Sequence, residues 1–270
     1  MSQVWHNKSM LEDKTYNYLI QYSYIGTKYS GLQRQTTNSQ TVQEVLEKAF
    51  NEAFDYSSPK VIVTNRTDTG VHAKTQYLKL ITSTNRCAEK IIRRCNQILP
   101  LDIRLNSCEF VANYFNLNNI IKSKTYRYFL TDSSNLNAFM AQTVYLHPKK
   151  LDFDLMAQGA KLFNGEIDIR HFCVLGGRNP STTKRNIQAY LRPYHMDRND
   201  ELERIFFLEI SSTGFLKYTI RFIMGALILV GSHEIGLDEL KESLHSNALL
   251  SKSFKAPANG LQLYDIKIKV

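Results

Sequence analysis

Eight consecutive residues, Asn65-Arg66-Thr67-Asp68-Thr69-Gly70-Val71-His72, gather an acid, a guanidinium, two hydroxyls, a glycine and a histidine. They follow a short β-branched run, Lys60 to Thr64, and precede an alternating run, Gln76 to Ile81. The group therefore sits in a strand-to-strand connection. Loops held by rigid strands are where catalytic side chains concentrate. Asp68, with Arg66 beside it, is a candidate carboxylate nucleophile or base. The same residues also make an Asp-Thr-Gly turn, with Asp68 capping the backbone and Gly70 supplying a positive φ.

Other groups could share that chemistry. Lys122-Ser123-Lys124-Thr125-Tyr126-Arg127-Tyr128 interleaves cations with rings. On a strand, Tyr126 and Tyr128 share one face and Arg127 takes the other. The segment reads either as a stacking ring with phosphate-binding lysines or as an amphipathic strand with a solvated basic face. Arg221 lies between Ile220 and Phe222 in an otherwise apolar stretch. A buried guanidinium needs a carboxylate or phosphate partner, and Asp68 is a candidate; the alternative is an arginine snorkelling at a helix end. His72 caps the loop, touches RNA or is a satisfied structural histidine. Gly176 to Arg185 is a basic, polar connection, either a phosphate contact or a mobile loop. Asp152 and Asp154 read as helix-start acids. Cys87, Cys95, Cys108 and Cys173 form no Cys-x-x-Cys pair and have no histidine cluster, which argues against a zinc site and a disulfide framework.

The elements that must position these residues follow from periodicity. Tyr16, Tyr18, Ile20, Tyr22 and Tyr24 share one face of a half-buried strand. Thr41 and Glu44 form a capping box at the start of the clearest helix, whose buried stripe is Val42, Val45, Leu46, Ala49, Phe50 and Ala53. Strands over 60–64 and 76–82, a helix over 88–98 and a strand near 103–111 complete the first half, as in a split βαβ unit. The second half predicts strands at 125–130, 186–193, 205–211 and 261–268. It predicts helices at 153–162, 216–230 and 237–244. The change of lobe is expected near Tyr114 to Ile121, giving lobes of 14–113 and 114–270 with a cleft between them.

The chain has 270 residues, 43% of them hydrophobic and 22% charged, enough for one large or two modest domains. A net charge of +9 suggests a polyanionic partner, although solubility alone accounts for such a charge. Fifteen tyrosines interleaved with lysine and arginine suit base stacking and phosphate contact. The apolar run Phe222 to Val230, broken by Gly225, is too short for a membrane span. The first fifteen residues are polar and contain Glu12 and Asp13, unlike a signal or transit peptide. An intracellular protein, cytoplasmic or mitochondrial, is expected.

Several of these segments converge on one family. Arg66-Thr67-Asp68-Thr69-Gly70-Val71-His72-Ala73 resembles the Arg-Thr-Asp-Ala-Gly-Val-His-Ala signature of TruA-type tRNA pseudouridine synthases. Gly26 to Gln35 with Thr41-Val42-Gln43 and Leu46-Glu47 is similar to the family's N-terminal motif. Thr125 to Tyr128 resembles its tyrosine segment. Gly214-Phe215-Leu216 through Ile220-Arg221 to Gly225 resembles its Arg-bearing helix, and Ala256 to Leu263 its Ala-Pro-x-x-Gly-Leu-x-Leu ending. The motifs keep their order over roughly residues 16–268.

The resemblance implies an α/β chain (α+β type) with the pseudouridine synthase fold: two related mixed α/β lobes whose sheets form a central basic cleft. It implies Asp68 as catalytic aspartate, Tyr126 as the ring against the base, and Arg221 paired with Asp68 to keep it ionised. Arg66, His72, Lys122, Lys124 and Arg127 become candidate RNA contacts. It implies no cofactor and no metal, a tRNA substrate modified in the anticodon stem-loop, a homodimer and no membrane. Departures occur at Phe115-Asn116-Leu117-Asn118, where the family has Phe-His-Ala-Arg, and at Leu32, Thr69 and Tyr218, where it often has Trp, Ala and His. Two other readings compete: an RNA-binding or chaperone protein on this scaffold with weak or no catalysis, and a metal-dependent hydrolase using Asp68 and His72.

Overall fold

The computed structural model describes residues 15–36, 40–175, 182–194, 204–246 and 248–269. The basic connection read at 176–185 lies, up to residue 181, outside the described residues. In the first half, β1 (Tyr16–Tyr24), α1 (Val42–Ala53), β2 (Lys60–Val63), β3 (His72–Thr82), α2 (Ala88–Ile98) and β4 (Ile103–Val111) follow the expected order. The Thr41/Glu44 capping box forms, and the buried stripe of α1 is the one its periodicity predicts. A short α3 (Leu117–Ile120) leads into β5 (Ile121–Thr131) and β6 (Tyr145–Leu146). The chain continues through α4 (Phe153–Lys161), β7 (Gly165–Asp168), β8 (Lys184–Tyr194), β9 (Ile205–Ser212), α5 (Thr219–Gly231), α6 (Leu237–His245) and β10 (Leu261–Ile268). The short α3, β6 and β7 escaped the sequence reading, because elements of two to four residues carry too few positions to show a period.

All ten strands belong to one sheet, ordered β4-β1-β3-β10-β5-β9-β8-β7, with β2 against β3 and β6 against β5. The two halves thus share a sheet, and the last strand joins them. β10 pairs parallel with β3 through Gln262↔His72 and Leu263↔Ala73. On its other edge it runs antiparallel to β5, with Leu263 opposite Tyr126. Continuing the register gives a row across the sheet: Tyr24, Ala73, Leu263, Tyr126, Ile210, Ala189. These side chains share one face and join the buried core with the apolar stripes of α1, α2, α4, α5 and α6. The opposite face of β1 and β3 is covered by the connection after β4. Asn17 donates to Asn113, and buried Lys79 donates its ammonium to the carbonyls of Asn113 and Phe115 at 3.0 and 2.8 Å.

Helix α5 begins at Thr219, three residues later than its apolar pattern predicts. Lys217 is held in a β-bridge with Val174, and Tyr218 has left-handed backbone angles, φ 65° and ψ 4°. The chain turns from bridge to helix within that residue. Gly225 lets the Phe254–Ala256 segment lie directly against α5. A Cβ there would overlap the Phe254 carbonyl. At this contact the Ala256 amide donates to the Arg221 carbonyl at 3.0 Å, and Arg221 Nε donates to the Ala256 carbonyl at 2.7 Å.

Candidate active site

Asp68 lies in the loop between β2 and β3, and backbone hydrogen bonds hold that loop before and after it. The Leu32 amide donates to the Thr67 carbonyl at 3.3 Å, the Gly70 amide to the Tyr29 carbonyl at 3.3 Å and the Val71 amide to the Asp68 carbonyl at 3.1 Å. Gly70 has φ 78°, the conformation the Asp-Thr-Gly turn requires. Leu32 is fully buried, so this departure from the family pattern sits in the core. The Tyr24 hydroxyl, also buried, shares a 2.6 Å hydrogen bond with Thr67. The Asp-Thr-Gly turn forms, and its rigid backbone presents the Asp68 side chain.

That side chain faces a cleft of about 840 Å³ over the middle of the sheet. Residues 30–35, loop residues 65–69 and 71, Lys124 and Tyr126 of β5, Leu261, and residues 215–221 at the start of α5 line it. Arg34, Arg66, Lys124, Lys217 and Arg221 bring positive charge to the lining, and among the described residues Asp68 is its one carboxylate. Tyr126 is 9% exposed and packs edge-on against Phe215 at 5.7 Å. It is part of the cleft lining, and among the described residues its hydroxyl has no hydrogen-bond partner. Burial holds the phenol in its neutral form, well above its ordinary pKa, and the Tyr24 and Asp68 charges act in the same direction.

Asp68 differs from the expectation of a strong ion pair. Arg221 interacts with it electrostatically, but no ion pair closes between them; the Arg221 Nε is spent on the Ala256 carbonyl. Burial raises the Asp68 pKa, and Arg221, Lys217 and Lys255 pull it back only in part. The net shift is upward, opposite to the lowering expected from one guanidinium. Burial also lowers the pKa of Lys124, which stands two residues before Tyr126 on the same strand face.

Three of the expected RNA contacts are not brought to the cleft lining. His72 is 3% exposed; its Nδ1 accepts the Gly26 amide and its Nε2 bonds the Asn259 carbonyl, both at 2.9 Å. Both ring nitrogens are used inside the protein. Arg127 points from the far face of β5, where it pairs with Glu209 at 2.7 Å and stacks 3.6 Å above Tyr264. Lys122 is exposed beyond the lining. Arg66 and Lys124 are at the cleft as expected. Sequence reasoning missed Lys217 and Lys255. Lys217 precedes Arg221 by one helical spacing and Lys255 precedes the Ala256-Pro257 motif, so adjacency to motif residues was the available signal. Asn116 caps α3, its side chain accepting the Asn118 amide. Among the described residues no group of His, Cys, Asp and Glu side chains is arranged to hold a metal, and the four cysteines are free.

Two stability predictions follow. His72→Ala leaves a buried amide and carbonyl unpaired and should cost about 2–3 kcal/mol in thermal or denaturant melts. Burial lowers the folded-state pKa of His72 from 6.5. Its contribution is therefore present above that value and is lost as pH falls through the lowered one. The variant should lack this acid-side loss. Arg127→Ala should destabilise by about 1–2 kcal/mol through the lost pair and stacking. Its RNA affinity at fixed salt should match the parent; a several-fold loss in a filter-retention assay would return Arg127 to the RNA surface.

The sequence profile of the tRNA pseudouridine synthase family matches residues 20–115 and 160–267. A tRNA pseudouridine synthase A of Dictyoglomus thermophilum is 34% identical over 252 residues, covering 93% of this chain and 98% of the relative. The like-named protein of Acetivibrio thermocellus is 31% identical over 90% of this chain and 96% of its own length. That of Exiguobacterium sibiricum is 31% identical over 90% and 93%. The matched segments include the Asp68 loop and the start of α5, the two elements that close on the cleft, and the chain belongs to the tRNA pseudouridine synthase family.

Proposed function

We propose that this chain isomerises uridine to pseudouridine in tRNA, with Asp68, Tyr126 and Arg221 as its catalytic residues. The N1–C1′ bond breaks, the base turns, and a C5–C1′ bond forms; the proton lost from C5 is balanced by one gained at N1. No oxidant or co-substrate is consumed. Asp68 assists as a nucleophile at the sugar, as a nucleophile at the base, or by stabilising positive charge at C1′. Arg221 and the neighbouring lysines favour its ionised form. Tyr126, neutral and with an unpartnered hydroxyl, stands against the base and can relay a proton. Reaching the glycosidic bond requires the nucleotide to leave its stack, and Arg66 at the cleft edge holds it there. The observation that carries this reading is Asp68, the one carboxylate among the described residues lining a cationic cleft, beside Tyr126.

Residues 14–113 and 114–270 are read as two lobes contributing opposite walls. A homodimer gripping the L-shaped tRNA and uridines of the anticodon stem-loop as targets belong to the same proposal. Among the described residues no helix is long and apolar enough to cross a membrane. The test is incubation of the protein with tRNA transcripts, with and without chelator, followed by detection of pseudouridine. Product that forms regardless of chelator supports the proposal. RNA binding without product would favour the chaperone reading, and loss on chelation the metal-dependent one. Mapping the modified positions tests the anticodon assignment, and sedimentation tests the dimer.

A further inference from the structure

Tyr218 is a departure from the family pattern that the proposed chemistry leaves without a role. Its backbone is left-handed, an uncommon state for a bulky residue that persists where the surroundings over-determine it. They do so here: the Val174 amide donates to the Lys217 carbonyl at 3.0 Å, and the Phe222 amide to the Tyr218 carbonyl at 3.0 Å. One residue thus joins a β-bridge to a helix, and its side chain is placed in the cleft lining.

Three cations lie around its ring. Lys255 Nζ is 4.3 Å from the centroid, Lys217 Nζ 4.9 Å and the Arg221 guanidinium 5.5 Å. They come from two chain segments, which the Arg221–Ala256 hydrogen bonds lock together. Like charges repel, and the negative face of an aromatic ring is what gathers them. Both lysines are exposed, and among the described residues neither closes an ion pair or a side-chain hydrogen bond. Both act electrostatically on Asp68, Lys217 from the cleft lining and Lys255 from beyond it. Ammonium groups that close no ion pair with the protein, beside a site that receives a nucleotide, match the charge and spacing freedom of backbone phosphates.

We propose that Tyr218 is a positioning residue whose ring gathers Lys217 and Lys255 into a clamp for the phosphates next to the reacting uridine. The proposal rests on the reading of RNA as substrate and adds a phosphate subsite to it.

The experiment measures binding of a tRNA transcript by filter retention over a series of KCl concentrations. Tyr218→Gly accepts the positive φ without strain and removes the ring. It should weaken binding about tenfold at low salt and reduce the slope of log K against log salt by about 1.4–1.8, the value for two phosphate contacts. Tyr218→Phe should recover the parent slope. The double variant Lys217→Gln/Lys255→Gln should give the same reduction as Tyr218→Gly, and it carries the test if Tyr218→Gly melts early. A parent slope in the double variant, or in well-folded Tyr218→Gly, overturns the clamp, as does wild-type binding that does not respond to salt. Because binding is read without turnover, a reduced slope with no pseudouridine from the wild type would keep the clamp and overturn the isomerase reading. Pseudouridine formation with an unchanged slope would do the reverse.

Discussion

Asp68→Asn should abolish pseudouridine formation, lowering kcat/KM by about 10⁴-fold or more, the scale seen when a central catalytic group is removed. The substitution keeps the size of the side chain and the turn that holds it, and removes one negative charge from a cationic cleft. Affinity for tRNA should therefore hold or rise slightly. Pseudouridine release on a transcript and filter-retention affinity read the two effects separately; comparable losses of both would mean that Asp68 serves binding rather than chemistry. Stability should move the other way. Because burial raises the folded-state pKa of Asp68 above 3.8, its stabilising contribution is present below that value and lost as pH rises through the raised one. Asparagine suffers no such loss. Asp68→Asn should melt on the order of 1–2 °C higher at neutral pH, with the gap closing in acid. In the wild type, activity that needs the carboxylate should rise with pH through the same raised value. Lys217→Gln or Lys255→Gln should push that acid limb higher still, because each lysine lowers the Asp68 pKa.

Gly225→Ala should be severely damaging for a single added methyl. Its Cβ would meet the Phe254 carbonyl, a backbone atom with no rotamer to yield. Such overpacking costs about 3 kcal/mol, which in a chain of this size lowers Tm by about 6 °C or more. The damage should not be limited to stability. The Phe254–Ala256 segment has to lift from α5, and with it the two hydrogen bonds that hold Arg221 and the approach of Lys255 to Tyr218. Activity measured well below the new Tm should still be reduced about tenfold or more. Full activity at low temperature would show that the contact matters for folding alone. Ala226 makes the control: it is also buried in α5, and Ala226→Gly carries an ordinary helix penalty of about 1 kcal/mol without the backbone collision.

Some features were legible because their causes are local. The capping box at Thr41 and Glu44 involves residues three apart, and the stripe of α1 repeats with the helix period, so neighbours in sequence set both. The alternating tyrosines of β1 read as a strand for the same reason. Asp68 was legible as a group with chemical potential because a short turn must present it, and its membership in an ordered set of motifs named the chemistry. The start of α5 was not legible. Its apolar pattern extends to Leu216, but the bridge from Lys217 to Val174, more than forty residues away in sequence, holds back the first turn.

The sequence by itself determined the longer helices and most strands, the acid, ring and guanidinium proposed to do the chemistry, and the family to which they point. Local hydrogen bonding and side-chain periodicity act over a few residues, and motifs are written in residue types. Only the tertiary structure decided how those parts meet. Insertion of β10 between β3 and β5 aligns Ala73, Leu263 and Tyr126 in one row and so brings the Asp68 loop to the tyrosine strand. The same topology gives both nitrogens of His72 to the protein, turns Arg127 away to Glu209, and gathers Lys217 and Lys255 around Tyr218. These contacts join segments as much as 187 residues apart. Their partners are chosen by how the sheet closes, a property of the whole chain that no local pattern encodes.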